Sequence, residues 1–154
     1  MCVIIDTCTF HAVFNPTSQN HEKYIPILDW IAHKNGKIVV GGSKYKRELR
    51  SHKSQSILAE YERSRKLVKI SDYAVDKIAA DIKRAVNDKN FDDEHLVALV
   101  SVSKCKVICT DDKRAYPYLK RNDLYPHGVK RPRFYQTARN ASLCCAKYAA
   151  DVCR

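Results

Sequence analysis

The sequence predicts an α/β fold with a central, mostly parallel sheet of four to five strands. Two observations support this fold class. Short runs rich in β-branched residues recur along the chain, and a helical pattern of apolar residues follows each of them. Such continuous apolar runs are typical of strands buried on both faces of a parallel sheet, and strands that alternate with helices join through right-handed crossovers. We expect residues 1–154 to form a single domain, because the chain has no repeats, linkers or low-complexity tracts.

Four apolar runs are predicted as strands, and a further segment near the C-terminus is a candidate edge strand. The first run ends directly at Asp6, which places a carboxylate at the end of a buried strand. The five segments are residues 2–5, 37–40, 67–70, 106–109 and 133–136.

The helices of the first half are predicted from apolar spacing and from residues that favour helix ends. Residues 24–35 have helical spacing and stop before Gly36, which favours a helix C-terminus. Ser43 is expected to cap the next helix, which carries Glu48 in its first turns. Residues 55–65 repeat the amphipathic pattern.

The helices before the fourth strand differ in their polarity. Ser71 and Asp72 supply capping oxygens for an amphipathic helix over residues 74–86. The segment that follows Asp93 is apolar on most sides, so we expect a helix at the centre of the protein, buried all round.

The last third of the chain is the least regular part and the most basic. A helix opens at residues 110–112 and is soon disturbed by Pro117, residues 122–132 are predicted as a polar loop, and residues 137–150 as a closing helix. Residues 104–154 carry twelve Lys and Arg against four Asp, and thus +8 of the total net charge of +11. Such a field attracts polyanions, most commonly nucleic acid, although a basic face that only keeps the protein soluble is the alternative.

The N-terminus and the cysteines indicate a soluble cytoplasmic protein. The first apolar run lacks a preceding basic region and is interrupted at Asp6, and no run has the roughly 20 residues of a membrane span, so we expect no membrane association. The seven cysteines include the adjacent pair Cys144 and Cys145 and form no Cys-x-x-Cys motif. We therefore expect reduced cysteines and no disulfide, with Cys2 and Cys109 as small buried apolar residues.

Several acidic residues occupy positions that a parallel sheet would bring to its carboxyl edge. Asp6 and the Asp111–Asp112 pair each follow a strand, and ligands of open parallel sheets bind beyond the carboxyl ends of the strands. Asp93 opens the buried helix and Glu48 lies in the helix after the second strand. Four converging carboxylates would repel one another without cations, which predicts bound Mg²⁺ or Mn²⁺. Each Asp alone has a simpler explanation as a helix cap, and Glu48 as a surface partner of a neighbouring cation.

The order of these motifs resembles the PIN-domain nuclease family over roughly residues 2–120. In that family an apolar strand ends in Asp, a helical Glu follows, an Asp then opens a buried helix, and a strand is closed by Thr-x-Asp. The matching residues here are Val3-Ile4-Ile5-Asp6-Thr7, Glu48, Asp93-Glu94-His95-Leu96 and Thr110-Asp111-Asp112.

This resemblance implies a three-layer α/β/α sandwich and a metal-dependent endoribonuclease, commonly the toxin of a toxin–antitoxin pair or a related nuclease of RNA processing or defence. It implies that Asp6, Asp93 and Asp112 bind the metal and that Glu48 assists. Asp92 and Asp111 remain alternatives to their neighbours, because both acids are doubled here. RNA, a cognate antitoxin and a second copy of the chain are the partners that it implies.

Residues around the acids are candidates for substrate binding. Two hydroxyls at strand ends are placed to orient a carboxylate or a phosphate, and four cations flank the acids and are expected to bind RNA phosphates. These six residues are Thr7, Lys46, Arg47, Thr110, Lys113 and Arg114.

Other classes of protein fit less well. A phosphotransferase of the haloacid dehalogenase type also has an Asp after its first strand but needs a second Asp two residues later, where this chain has Cys8. A receiver domain needs its acid pair after that strand. A catalytically silent PIN-like module for RNA binding or assembly would use the same basic surface, and its mark would be the loss of an acid, whereas all four are present.

Overall fold

A computed structural model describes residues 1–154 and contains one sheet of five parallel strands. The order across the sheet is β3-β2-β1-β4-β5, which confirms the predicted α/β class and places the first strand at the centre. The strands are β1 (Cys2–Ile5), β2 (Lys37–Val40), β3 (Leu67–Lys69), β4 (Val107–Cys109) and β5 (Arg133–Tyr135).

Seven α-helices flank the sheet. They are α1 (Thr7–Phe14), α2 (Ile25–His33), α3 (Ser43–Glu48), α4 (His52–Arg63), α5 (Asp72–Val86), α6 (Glu94–Ser103) and α7 (Tyr116–Leu119). From β1 the chain steps outward to β2 and β3 and then returns to β4 on the other side of β1. Because such crossovers are right-handed, the connection through α5 and α6 lies on the opposite face from the first two connections. The result is a three-layer α/β/α arrangement.

Helix α6 is central and buried, as its all-round apolar sequence predicts. Nine of its ten residues are buried, and its main contact is with α5. A single apolar core of 35 buried residues includes β1, half of α6 and β4.

Two helix ends differ from the prediction. Gly42, not Ser43, occupies the N-cap position of α3, with φ at +89°, a backbone conformation that glycine adopts without strain. A Cβ on Gly42 would also lie 2.7 Å from Cγ1 of Val75. Ser43 is instead the first residue of the helix, and its hydroxyl donates to Asp76 at 2.5 Å. Ser71 does cap α5, since its hydroxyl accepts from the backbone N–H of Ala74.

The predicted closing helix over residues 137–150 is wrong. Three short 3-10 segments occupy this region, namely Ala138–Leu143, Ala146–Tyr148 and Asp151–Cys153. The side-chain oxygen of Asn140 accepts from the backbone N–H groups of Gln136 and Thr137 at 3.0 and 3.2 Å. Such local side-chain bonds compete with α-helix formation. The predicted edge strand is correct, and β5 ends at Tyr135.

The expectation that every cysteine is reduced is also wrong. A disulfide joins Cys2, in the central strand, to Cys153, 151 positions along the chain. The pairing of cysteines so far apart leaves no signal in sequence spacing. Cys109 is free and buried, as predicted. None of the helices has the length and apolar character that crossing a membrane requires.

Candidate active site

Asp6 and Thr110 meet at the carboxyl edge of the sheet, where β1 and β4 end side by side. The strands pair with Ile5 opposite Cys109, and the backbone N–H of Asp6 donates to the carbonyl of Cys109 at 2.8 Å. The Thr110 hydroxyl donates to Oδ2 of Asp6 at 2.6 Å. Asp6 is 3% exposed, so its carboxylate is held in one place by a buried charge-assisted hydrogen bond.

This edge is also where the connectivity of the sheet reverses. The connection from β1 leads to β2 on one side, whereas β4 lies on the other side of β1. In open α/β sheets the crevice at such a reversal is the usual ligand site.

Helix capping does not explain the two acids that precede helices. Asp6 stands at the N-cap of α1 and Asp93 at the N-cap of α6, but neither side chain accepts a hydrogen bond from its helix. Both carboxylates are therefore available for another role.

The charge of Asp93 interacts with the other acids. Its pKa is raised from 3.8 to about 6, first by burial and then by the negative charges of Asp6 and Asp112, against the opposing effect of Lys44. Neither Asp6 nor Asp93 forms an ion pair with a Lys or Arg, unlike several other carboxylates of this region. Because the charges of Asp6 and Asp112 act on Asp93, we call these three residues the acid cluster, and only Asp112 has a cationic partner.

The two members of each adjacent acid pair, Asp92–Asp93 and Asp111–Asp112, differ in exposure and in their partners. The Asp92 side chain is 81% exposed and pairs with Lys44 at 2.7 Å, whereas Asp93 is half-buried in the acid cluster. Asp111 is exposed and accepts from the Tyr24 hydroxyl at 3.2 Å. Asp93 and Asp112 are thus the less exposed members of the two pairs, and the acid cluster is defined with them.

Asp112 has an internal cationic partner. Its carboxylate accepts from the backbone N–H of Arg114 at 2.8 Å and from the Arg114 guanidinium at 3.0 and 3.3 Å. These bonds lower the pKa of Asp112. The backbone N–H of Asp112 donates to the Thr110 hydroxyl at 3.1 Å, so Thr110 links Asp6 to Asp112.

Glu48 is held beside the cluster at the end of α3. The Thr7 hydroxyl donates to Oε2 of Glu48 at 2.6 Å, and Nε2 of His95 lies 3.6 Å from the same oxygen. Helix α3 is fixed against β1 because the Tyr45 hydroxyl donates to the carbonyl of Ile5 at 2.6 Å. Glu48 remains partly accessible, with 34% of its side chain exposed.

His95 and Cys8 also lie near the acids, although neither was predicted as a site residue. His95 is 3% exposed, neither ring nitrogen makes a hydrogen bond, and burial lowers its pKa, which keeps the ring neutral. Cys8 is exposed and lies beside Asp6, and partial desolvation together with the Asp6 charge raises its pKa.

The predicted substrate-binding cations fall into two groups. Lys46 pairs with Asp72 at 2.6 Å and Arg114 pairs with Asp112, so both are neutralised within the protein. Arg47 and Lys113 are exposed and form no ion pair.

The donor atoms of the acid cluster fit a hard divalent cation in their chemistry. They are carboxylate oxygens, the ligands that Mg²⁺ and Mn²⁺ prefer, and Asp6 and Asp93 lack a cationic partner. As they stand, however, no three His, Cys, Asp or Glu side chains lie close enough together to hold an ion. Asp112 is also engaged by Arg114.

No protein-family model, curated protein or solved structure matches the chain. The resemblance to PIN-domain nucleases thus rests on the four acidic motifs, and the assignment to that family remains a prediction.

Proposed function

We propose that this protein is a divalent-metal-dependent endoribonuclease that hydrolyses RNA phosphodiester bonds at the acid cluster. The observation that carries the proposal is that Thr110 joins Asp6 to Asp112 at the reversal point of the sheet, where their charges also act on Asp93, and that Asp6 and Asp93 lack a cationic partner. Holding uncompensated carboxylates together is unfavourable unless a cation binds there.

In this proposal Asp6, Asp93 and Asp112 hold Mg²⁺ or Mn²⁺. A divalent ion lowers the pKa of bound water and stabilises the charge that develops on phosphate. Thr110 fixes Asp6 in the position from which it binds, in the way that groups behind metal ligands usually do. Glu48, held by Thr7 and partly open to solvent, is placed to accept a proton from the attacking water.

The biological setting belongs to the same proposal. The basic C-terminal third favours RNA as the polyanion, and the acidic motifs are those of toxin ribonucleases that act in the cytoplasm with an antitoxin partner. Self-association into a dimer is part of that setting.

A catalytically silent RNA-binding module is the second candidate. It is favoured by the Arg114–Asp112 pair and by the lack of three side chains close enough to hold an ion.

A cleavage assay distinguishes the two. Purified protein is incubated with single-stranded RNA and with DNA of the same sequence, in Mn²⁺ or in excess EDTA. We expect RNA cleavage that requires the metal and is abolished in Asp6→Asn. The control is Asp81→Asn, the same change at an exposed carboxylate of α5, which should cleave normally. Equal cleavage in EDTA, or full activity of Asp6→Asn, would refute the nuclease, and no cleavage with intact RNA binding would favour the silent module.

A further inference from the structure

A groove of about 1050 Å³ lies beside β5. Strand β5 is the edge strand of the sheet and pairs with β4. Its charged lining is entirely cationic, with no Asp or Glu. We call it the β5 groove, and its four cations are Lys120, Lys130, Arg131 and Arg133.

The cations of the β5 groove are unpaired, in contrast to several of the cations near the acid cluster. None of its four cations forms an ion pair, whereas Lys44, Lys46 and Arg114 are each bound to a carboxylate. The groove therefore has a positive electrostatic potential that attracts external anions.

Aromatic rings alternate with these cations. The Lys120 ammonium lies 5.5 Å from the centre of the Tyr116 ring and 5.8 Å from that of Phe134. The Arg133 guanidinium lies 5.7 Å from the centre of the Tyr148 ring. Phe134 and Tyr148 are partly exposed. Cations together with partly exposed aromatic rings suit a polymer that has both phosphates and planar bases, which is single-stranded nucleic acid. An acidic peptide would use the cations alone.

A chain of contacts links the β5 groove to the acid cluster. The Tyr116 hydroxyl donates to the carbonyl of Thr110 at 2.9 Å, and Thr110 in turn binds Asp6. Tyr116 also packs edge-on against Phe134, with ring centres 5.4 Å apart. Because β5 has three residues and a strand rises about 3.3 Å per residue, the length of the strand is only roughly 10 Å.

We propose that the β5 groove binds the single-stranded RNA that flanks the scissile phosphate, with its cations on the backbone and Phe134 against a base. The identity of the strand as RNA rests on the proposed function, whereas binding of a single strand in the groove does not require cleavage.

The test measures binding of a short fluorescent single-stranded RNA in EDTA, where no metal-dependent cleavage occurs. The variant is Lys130→Gln/Arg133→Gln, which changes two exposed side chains. The matched control is Arg63→Gln/Lys77→Gln, which removes the same charge from exposed, unpaired positions on α4 and α5. Circular dichroism checks the fold of both.

We expect the groove variant to weaken binding about tenfold and to flatten the dependence of log affinity on log salt by about 1.4, since each phosphate contact contributes about 0.7 on a single strand. The control should keep the wild-type slope. Phe134→Leu should weaken binding of RNA about tenfold but leave binding of an abasic phosphate oligomer unchanged, because stacking requires a base.

Equal losses in the groove variant and the control would overturn the inference, as would an acidic peptide of matched charge that competes as well as RNA. If the groove variant behaves as expected but the wild-type protein cleaves no RNA in Mn²⁺, the nuclease proposal is refuted. The inference that the β5 groove binds a single strand is then still supported.

Discussion

Replacing Asp93 by Asn should stabilise the metal-free protein, because Asp93 is held near two other carboxylates without a cationic partner. Its pKa is about 6 in the folded state, against an ordinary value of 3.8. This difference corresponds to a destabilisation of the folded state by about 3 kcal/mol at neutral pH. The side chain is only half-buried, so solvent screening reduces this to about 1–2 kcal/mol.

The sign of the pH dependence follows from the raised pKa. Folded Asp93 takes up a proton more readily than unfolded Asp93, so its charge destabilises the fold at pH values above about 6. That destabilisation is lost as the pH falls through 6 and is absent below 3.8. Asp93→Asn should therefore be the more stable protein at pH 7.5 and equal to the wild type near pH 4.

Urea unfolding in EDTA at the two pH values measures this difference. The control is Asp92→Asn, the neighbouring residue, which should destabilise the protein because Lys44 lowers the pKa of Asp92 and would lose a partner. The reasoning would be refuted if Asp93→Asn were less stable than the wild type at pH 7.5, or if its advantage were the same at pH 4.

Three further predictions concern other parts of the molecule. Thr110→Val should reduce RNA cleavage about 10- to 100-fold while the protein stays folded, since it removes the hydroxyl that positions Asp6; unchanged cleavage rates would contradict this. Cys153→Ser should lower the free energy of unfolding by up to about 5 kcal/mol in the loop-entropy description, as measured by urea unfolding, and a reductant should have the same effect on the wild type but none on the variant. Sedimentation should give about twice the 17.7 kDa chain mass, and a monomer would count against the dimer alone.

The sequence was sufficient for the parts of the site that depend on strand ends. Asp6 and Thr110 directly follow apolar runs, and parallel strands bring their carboxyl ends to one edge, so the meeting of these two residues is predictable from the sequence alone. The buried position of helix α6 is equally predictable, because the helix is apolar all round.

Side-chain partners could not be predicted in this way. Whether Asp92 or Asp93 faces the cluster depends on the orientation of the N-terminus of α6. Asp92 faces outward and forms an ion pair with Lys44. The pairing of Lys46 with Asp72 joins residues 26 positions apart on different helices, which spacing does not reveal. Because of these two pairings, Lys44 and Lys46 are neutralised within the protein, whereas the cations of the β5 groove are not.

The C-terminal segment shows a second limit. Its residues have helical propensity in part, but Asn140 binds the backbone of Gln136 and Thr137, and Cys153 is tied to Cys2. Local side-chain bonds and a long-range covalent link override propensity, and neither follows from periodicity.

Direct titration of the wild-type protein with Mn²⁺ tests the central claim that the acid cluster is a divalent-cation site. Isothermal titration calorimetry at neutral pH should show saturable binding that is lost in Asp6→Asn and in Asp93→Asn and kept in Asp81→Asn, a surface carboxylate paired with Arg84. Absence of saturable binding to the wild-type protein, or binding that survives both cluster substitutions, would contradict the account.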